Sequence, residues 1–586
     1  MFICSQDTRQ FPDDEIPHYG YRQHTTHVGL LPKKLINALA TYTSVLVTIS
    51  TLAPDIGVSR DSLEQYFLCE NIPFCLSLIG FTDLLVEQSM QNVVTSYAFL
   101  FPFTPPPSPM LQLLLYDQLN PRYLDPRARH VLFVDTTKTT LISPYGPLQF
   151  SPHSKSLITA SSHSCIEDLR AQGLDAHRVQ APSYRQGVLD FATTNHITQL
   201  LIMIPSEPSH YRSLQTNALT RRTHGIEVER LPNTQFLLDH TEFVKQYPSK
   251  PPIMETFYRR MRKTTGILME HDKPIGGKRN YDADNRSFDR THTPVRHHLF
   301  SYQNKEFLVP VTRTQALECL QQFCREHLHQ FGRLEDAMYQ QDDIVYHSRL
   351  STAINTGLLT PHEVIHAVAE VDTEINNKEG FIRQILGWRE YMYHRFQRYQ
   401  ESIYTQNALN HTKPLPDRFR RPERSPLQMN CVNHILHQVK KTGYSHHITR
   451  LMVIGNFCLL MGYNPHDVNK RFWEMYMDAF ERVVTPNVLG MSQFADGGNL
   501  ATKPYVSSAN YINKMSDFCK NCFYDPKQKF GPRACPMNAL YWRFVDQHRE
   551  LFRRQPYIVS TLTTIDIAQI HQQCQEFEES IEQKRH

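Results

Sequence analysis

The sequence predicts an α/β domain built on a parallel sheet, followed by a larger all-helical domain. Three observations carry that expectation. Between residues 110 and 235, short apolar runs alternate with helical patterns, as strand–helix–strand crossovers require. From Pro252 onward, long helical periodicities take over and no strand-like alternation of any length interrupts them. Two irregular stretches punctuate the chain: the Pro-rich FPFTPPPSP (101–109) and the polar, Gly-containing DKPIGGKRNYDADNRS (272–287).

Residues 1–109 have no clean period and are expected to be an extension, either an added domain or an upstream-extended reading frame, that ends in the Pro-rich linker. Met110 opens MLQLLLYDQLN, the expected first strand. His130–Asp135, Ala176–Val179, Gln199–Pro205 and Ile226–Leu231 read as the next four, with helices over Ser162–Gln172 and Gln186–Thr194. The α/β domain is therefore placed at 110–235, an interdomain linker at 236–290 and the all-helical domain at 291–586. Helical patterns are expected over Pro252–Gly266, Thr314–Met338, Pro361–Asn376, Gly380–Glu401, Met429–Thr442, His446–Gly462, Pro465–Val483, Cys535–Glu550 and Ile565–Gln583.

Composition sets outer bounds. The 586 residues are 40% hydrophobic and 20% charged, as in an ordinary soluble globular protein, and suffice for two or three domains. A net charge of +4 permits nucleic-acid binding through a local basic patch without arguing for it. No apolar run approaches the roughly 20 residues of a spanning helix, and MFICSQDTRQ has no signal-peptide pattern, so a cytoplasmic protein without a membrane partner is expected. Twelve Cys spread over this length suit a reduced compartment better than a disulfide scaffold.

The strongest local signal is CKNCFYDPKQKFGPRAC, with Cys519, Cys522 and Cys535. A C-x2-C brings two sulfurs onto one turn, where thiolates suit zinc or an iron–sulfur cluster alike. A fourth ligand must come from upstream, with Cys458 and Cys431 as candidates; a reduced thiol cluster is the plainer alternative.

Several motifs together resemble one family. EGFIRQILGWREYM (379–392), YHSRLSTAINTGLLTP (346–361), HHITRLMVIGNF (446–457) and MSQFADGGNLATKPYVSSANYI (491–512) are similar to the photolyase and cryptochrome superfamily, in its iron–sulfur bacterial (6-4) photolyase branch. The resemblance covers about residues 110–586. It implies an all-α FAD-binding domain with a C-terminal iron–sulfur module, and UV-damaged DNA as the partner of a monomer. Within it, the Met-Asn-Cys segment makes Cys431 the fourth ligand, so that Cys431, Cys519, Cys522 and Cys535 would hold a 4Fe–4S cluster. A lumazine antenna is a further implied cofactor, with Lys138, His153 and Lys155 as its only candidates in a stretch (134–155) that departs from the relatives. Where relatives carry an aromatic pair for flavin photoreduction, this chain has Arg471 and Phe472; Trp473 and Tyr476 are the nearest substitutes.

The implied activity is that of a DNA photolyase, a carbon–carbon lyase of the (6-4) type. For cofactor binding, the resemblance points to His347, Ser348, Leu350 and Ser351 at the pyrophosphate, and to Gln384, Trp388, Arg389, Arg450, Asp478 and Asp496 around the rest of the flavin. Gln384 and Trp388 are expected on one helix face. For catalysis it points to His447 as proton donor, with His446 and Tyr505 beside it. Asp282, Arg286, Glu390 and Tyr511 are the implied lesion or DNA contacts, and RFRRPER (418–424) is a candidate phosphate-binding run. Each has a plainer alternative: a helix cap for the serines, a helix–helix ion pair for Arg450 and Asp478, a helix-start polar pair for the histidines, a solvated loop for the basic run. The rival readings are a blue-light photoreceptor without repair and a DNA-binding protein with a structural cluster.

Overall fold

The computed structural model describes residues 110–136, 142–214 and 225–583. The expectations for residues 1–109 and for Lys138 lie outside the described residues. Five strands form one parallel sheet: β1 (Met110–Leu114), β2 (Ala128–Asp135), β3 (Asp175–Gln180), β4 (Gln199–Met203) and β5 (Glu227–Leu231), in spatial order β3-β2-β1-β4-β5. Chain order reverses between β2 and β4, on either side of β1, so β1 ends at a switch point of the kind that opens a crevice.

Helix α1 (Pro152–Ala171) returns the chain from β2 to β3, and α2 (Tyr184–Thr194) from β3 to β4. Each is started by a serine whose side chain accepts a backbone N–H from within the first turn: Ser151 from Ser154, and Ser183 from Gln186. The expected helix over Ser162–Gln172 is only the second half of α1, because Ser151 and the proline behind it begin the helix at Pro152. Both faces of the sheet are covered. Leu111, Leu113, Leu132 and Val134 pack with Tyr184 and Val188 of α2 on one side. Leu114, Val131 and Phe133 join Ile166 and Leu169 of α1 and the helical body on the other.

The remainder is helical, as expected, with three differences. The periodicity over 465–483 is interrupted: helix Pro465–Met475 stops, and Glu481–Thr485 begins anew. Tertiary polar contacts take over the backbone there, since the Met477 N–H donates to the Gly443 carbonyl at 2.9 Å and the Asp478 carbonyl accepts from Asn355 at 3.0 Å. Short antiparallel pairs also interrupt the helices. In Phe300–Tyr302 with Lys305–Phe307, Gln303 and Asn304 both take positive φ (48° and 60°), as a two-residue hairpin turn demands. Residues 236–290 are more than a tether: helices His240–Gln246 and Met254–Thr265 lie within them and bury Phe243, Phe257, Tyr258 and Met261 in the main core. Among the described residues, no helix is long and apolar enough to cross a membrane.

One buried junction fastens the sheet to the helices. Asp117, just past β1, and Glu207, past β4, both receive Arg482, at 3.1 and 2.8 Å, and all three side chains are inaccessible to solvent or nearly so. The other guanidinium nitrogen donates to the Asn355 carbonyl at 3.0 Å. Glu207 also accepts the Glu481 and Arg482 backbone N–H groups, capping the helix that carries Arg482.

Removing the cation leaves two buried carboxylates facing each other. Arg482→Met is therefore expected to lower unfolding free energy by about 3–5 kcal/mol, read as the shift in denaturant midpoint. A change below 1 kcal/mol would mean that the junction relaxes or hydrates at no cost.

Candidate cofactor pocket and cysteine site

Two cavities adjoin inside the helical domain and share Ser351 and Ile354 in their walls. Four stretches supply most of their walls. The turn 347–351 supplies His347, Ser348, Arg349, Leu350 and Ser351; Gln384, Trp388 and Arg389 come from the long helix that runs Ile375–Tyr399. Segment 444–450 adds Tyr444, Ser445, His446, His447 and Arg450, and the break after Met475 adds Asp478. The stretches Arg383–Arg389 and Thr449–Gly455 are widened into π-helical turns, a form that often marks functional segments. Gln384 lines one cavity and Trp388 its neighbour.

Arg450 and Asp478 form a bidentate buried pair at 2.8 and 3.0 Å. Ser351 donates to the same carboxylate at 2.8 Å, and Arg450 Nε donates to the Ser445 carbonyl at 2.7 Å. Burial alone would raise the Asp478 pKa, but the Arg450 guanidinium overrides it and holds the carboxyl well below the usual range. The guanidinium also sits 4.0 Å from the Tyr476 ring centroid. These are more contacts than a plain helix–helix ion pair makes.

The histidines converge. His347 stacks on His446 with ring centroids 4.6 Å apart, His447 meets His347 edge-on at 5.3 Å, and one ring nitrogen from each of the three lies within 4.8 Å of the others. Burial pushes His347 down to about 3; burial and the neighbouring imidazoles hold His446 and His447 well below the ordinary histidine value. His447 Nε2 stands 3.9 Å from Asp336, whose other oxygen accepts the Tyr511 hydroxyl at 3.3 Å.

Several buried polar atoms here have no hydrogen-bond partner in the protein: His347 Nε2, His446 Nδ1, Gln384 Oε1 and Arg389 Nη2. Such atoms are costly unless something polar satisfies them. Hydroxyls, guanidinium groups, an amide and imidazoles set among Phe331, Phe381, Ile385 and Trp388 fit a flavin dinucleotide in chemical kind.

Other expected residues lie elsewhere. Asp496 lines neither cavity; it accepts the Gly498 and Leu500 N–H groups at 3.1 and 2.8 Å, and burial raises its pKa to about 6. Glu390 is inaccessible, its carboxylate accepting the Leu237 and Leu238 N–H groups, and burial raises its pKa to about 7 against the pull of Arg389. It is thus spent on bracing 236–290 instead of meeting DNA directly. Asp282 pairs with Arg286 and, at 2.7 Å, with Arg383. Tyr505 is buried in the main core. The basic run is mostly engaged internally: Arg418 is buried on the Ile581 carbonyl, Arg420 pairs with Glu474 at 2.9 Å and Arg421 with Asp417 at 2.6 Å. The run thus has carboxylate partners of its own, while the Arg420 and Arg421 side chains stay open to solvent. Glu335, Asp336, Tyr444 and Phe236 went unread; only the adjacent acids at the end of a long helical pattern, LED, offered a signal.

The four cysteines do meet. Cys431, Cys519, Cys522 and Cys535 line one cavity with Met429, Ala509, Ile512, Phe518 and Tyr524. Burial, then the thiols of Cys535, Cys519 and Cys522, push the Cys431 thiol well above its ordinary value. Cys458 lies inaccessible in the core, away from this group.

Comparison with known proteins adds the following. Residues 113–335 match the family model described as deoxyribodipyrimidine photo-lyase-related protein. The curated (6-4) photolyase of Agrobacterium fabrum is 39% identical over 383 residues, the match covering 60% of this chain and 75% of that protein. An uncharacterized protein of Acanthamoeba polyphaga mimivirus is 34% identical over 102 residues, covering 17% of this chain and 76% of its own length. A solved bacterial class III photolyase from Agrobacterium tumefaciens superposes with a TM-score of 0.51 over 82% of this chain and 99% of that one; its 13% identity makes this a likeness of fold alone.

The depressed histidines carry a pH signature. Unfolded histidines take up protons near pH 6.5, while these stay neutral in the fold. Below about pH 6.5 the unfolded chain holds more protons, so stability falls as pH drops. Each buried imidazole adds about 1.4 kcal/mol per pH unit to that slope. Denaturation series between pH 4 and 6.5 are expected to show a slope shallower by roughly that amount in His347→Gln; an unchanged slope would mean that His347 is protonated in the fold.

Proposed function

The chain belongs to the photolyase and cryptochrome superfamily, and from that premise we propose that it is a light-driven DNA-repair enzyme acting on the (6-4) pyrimidine–pyrimidone photoproduct. The observation that carries this reading is the convergence of three buried histidines on the wall of a cavity where Gln384 Oε1 also has no hydrogen-bond partner in the protein. Reduced FAD, when bound, would supply the photoexcited electron. His347, Ser348, Leu350 and Ser351 would hold its pyrophosphate; Gln384, Trp388 and Arg389 would flank it, and the Arg450–Asp478 pair would set the charge beside it.

The lesion must leave the duplex to reach such a pocket. His447 then gives a proton to the damaged pair. As it stands in the pocket it is neutral near pH 7, so it must take a proton from water as the DNA binds: approaching phosphates, added to Asp336 at 3.9 Å, favour the cationic form. His446 backs it through His347, and Tyr511 holds Asp336 from the other side. Asp282 and Arg286, beside Arg383, are the proposed contacts for flipped nucleotides.

The four cysteines are proposed to hold a 4Fe–4S cluster that ties segment 431 to segment 519–535. The four cysteines share a cavity, and thiolates gathered in this way suit zinc or a cluster alike; the likeness to the iron–sulfur branch is what favours the cluster. A photoreceptor is the second reading, favoured by Arg471 and Phe472 in place of the relatives' aromatic pair.

His447→Ala is expected to abolish (6-4) repair, by more than about a hundredfold, while retaining flavin absorbance. Parental repair rates in that variant would overturn the assigned role, and no repair by the parent after chemical reduction would favour the photoreceptor. Cys431→Ser should lose iron and most soluble yield, measured by metal analysis of the purified protein; full iron content would remove Cys431 from the ligand set.

A further inference from the structure

A second cluster of metal-ligating side chains lies on the α/β domain, on segments that carry none of the pocket residues. His130 on β2 and Asp175 and His177 on β3 bring one ligand atom each to within 4.8 Å of one another. Their convergence follows from the sheet. β2 and β3 are parallel neighbours with His130 opposite Asp175, and residues two apart on a strand project to the same face, so Asp175 and His177 share it. Asp175 is divided between the rings: one carboxylate oxygen is 2.5 Å from His130 Nδ1 and the other 2.6 Å from His177 Nε2. The Phe191 ring of α2 backs the imidazoles, with centroids 4.8 Å from His177 and 6.4 Å from His130. The group is open to solvent, with side-chain exposures of 21% for His130, 54% for Asp175 and 36% for His177.

We propose that His130, Asp175 and His177 form a surface binding site for one zinc ion that clips the edge strand β3 to β2. Two imidazoles and a carboxylate are the donor set that zinc takes with three protein ligands, leaving a fourth position to water. Magnesium, which prefers oxygen ligands, is excluded by the same donors. Binding needs no co-reactant: each neutral ring carries one N–H, and moving it to the other nitrogen frees the lone pair that faces the carboxylate. The placement has a structural use as well. β3 is the outer strand of the sheet, and an edge strand is held by ladder bonds on one side only.

The test is equilibrium dialysis of the full-length purified protein against micromolar zinc chloride with magnesium in excess, followed by elemental analysis for zinc and iron. The parent is expected to hold one zinc per chain more than His130→Asn/His177→Asn, at equal iron, and its unfolding temperature should rise with zinc while the variant's does not. Asp175→Asn, which keeps shape and both rings, should also lose the zinc and serves if the double variant folds poorly. Equal zinc in parent and variants, displacement of zinc by magnesium, or zinc gained only as iron is lost would each overturn the proposal.

Discussion

Arg482 is the charge on which the arrangement of the two halves depends. A guanidinium taken out of water costs several kcal/mol unless it is fully paired. Here it lies between Asp117 and Glu207, donates to the Asn355 carbonyl, and stacks near Phe480 with its guanidinium 5.0 Å from that ring. The pairing is reciprocal at the backbone. Glu207 caps the helix that carries Arg482, and Glu481 of that helix accepts the Ser209 N–H at 2.9 Å, at the start of the helix that follows Glu207. Sheet and helical body are thereby set in one orientation, and with them the segment Ser351–Asn355 that forms the wall shared by the cavities.

From that fixed wall the electrostatics of the pocket follow. The Arg450–Asp478 pair is neutral as a unit and holds its members in place through Ser351 and Ser445. Beside it, burial keeps three imidazoles uncharged, so the cationic charge in the walls comes from arginines rather than histidines. An uncharged histidine wall suits a site that must first accept a polyanion and a flavin, and acquire a proton only when the phosphates arrive. The orphaned atoms of Gln384 and Arg389 show the complementary feature: groups placed for a partner rather than for the apoprotein's own stability.

The cysteine site obeys a different logic. Its members come from one helix start, Asn430–Thr442, and from the knuckle between helices Ala509–Met515 and Pro536–Gln547. Binding a centre there joins segments nearly ninety residues apart, so its contribution to the fold grows with the loop it closes.

Much of the architecture was legible in the residues. Apolar runs at MLQLLLYD, HVLFVD and QLLIM dictated buried parallel strands, because a strand covered on both faces needs no polar alternation. The C-x2-C spacing pointed to the cysteines that share a cavity, and the HSRLS and QILGWRE motifs to seven of the expected cofactor residues, which line the candidate pocket, since those signals are local. What the sequence could not contain were events decided at long range. The break at Tyr476 required Gly443 and Asn355 to capture backbone groups of a segment whose own periodicity stays helical. Glu390 and RFRRPER looked available because charge is visible in a sequence while its partner, Leu237 or Glu474, is not. Asp336 and Arg482 acquired their roles only when folding brought His447 and Asp117 to them. Local chemistry and periodicity are written along the chain; which buried charge meets which partner is settled only once the chain has closed on itself.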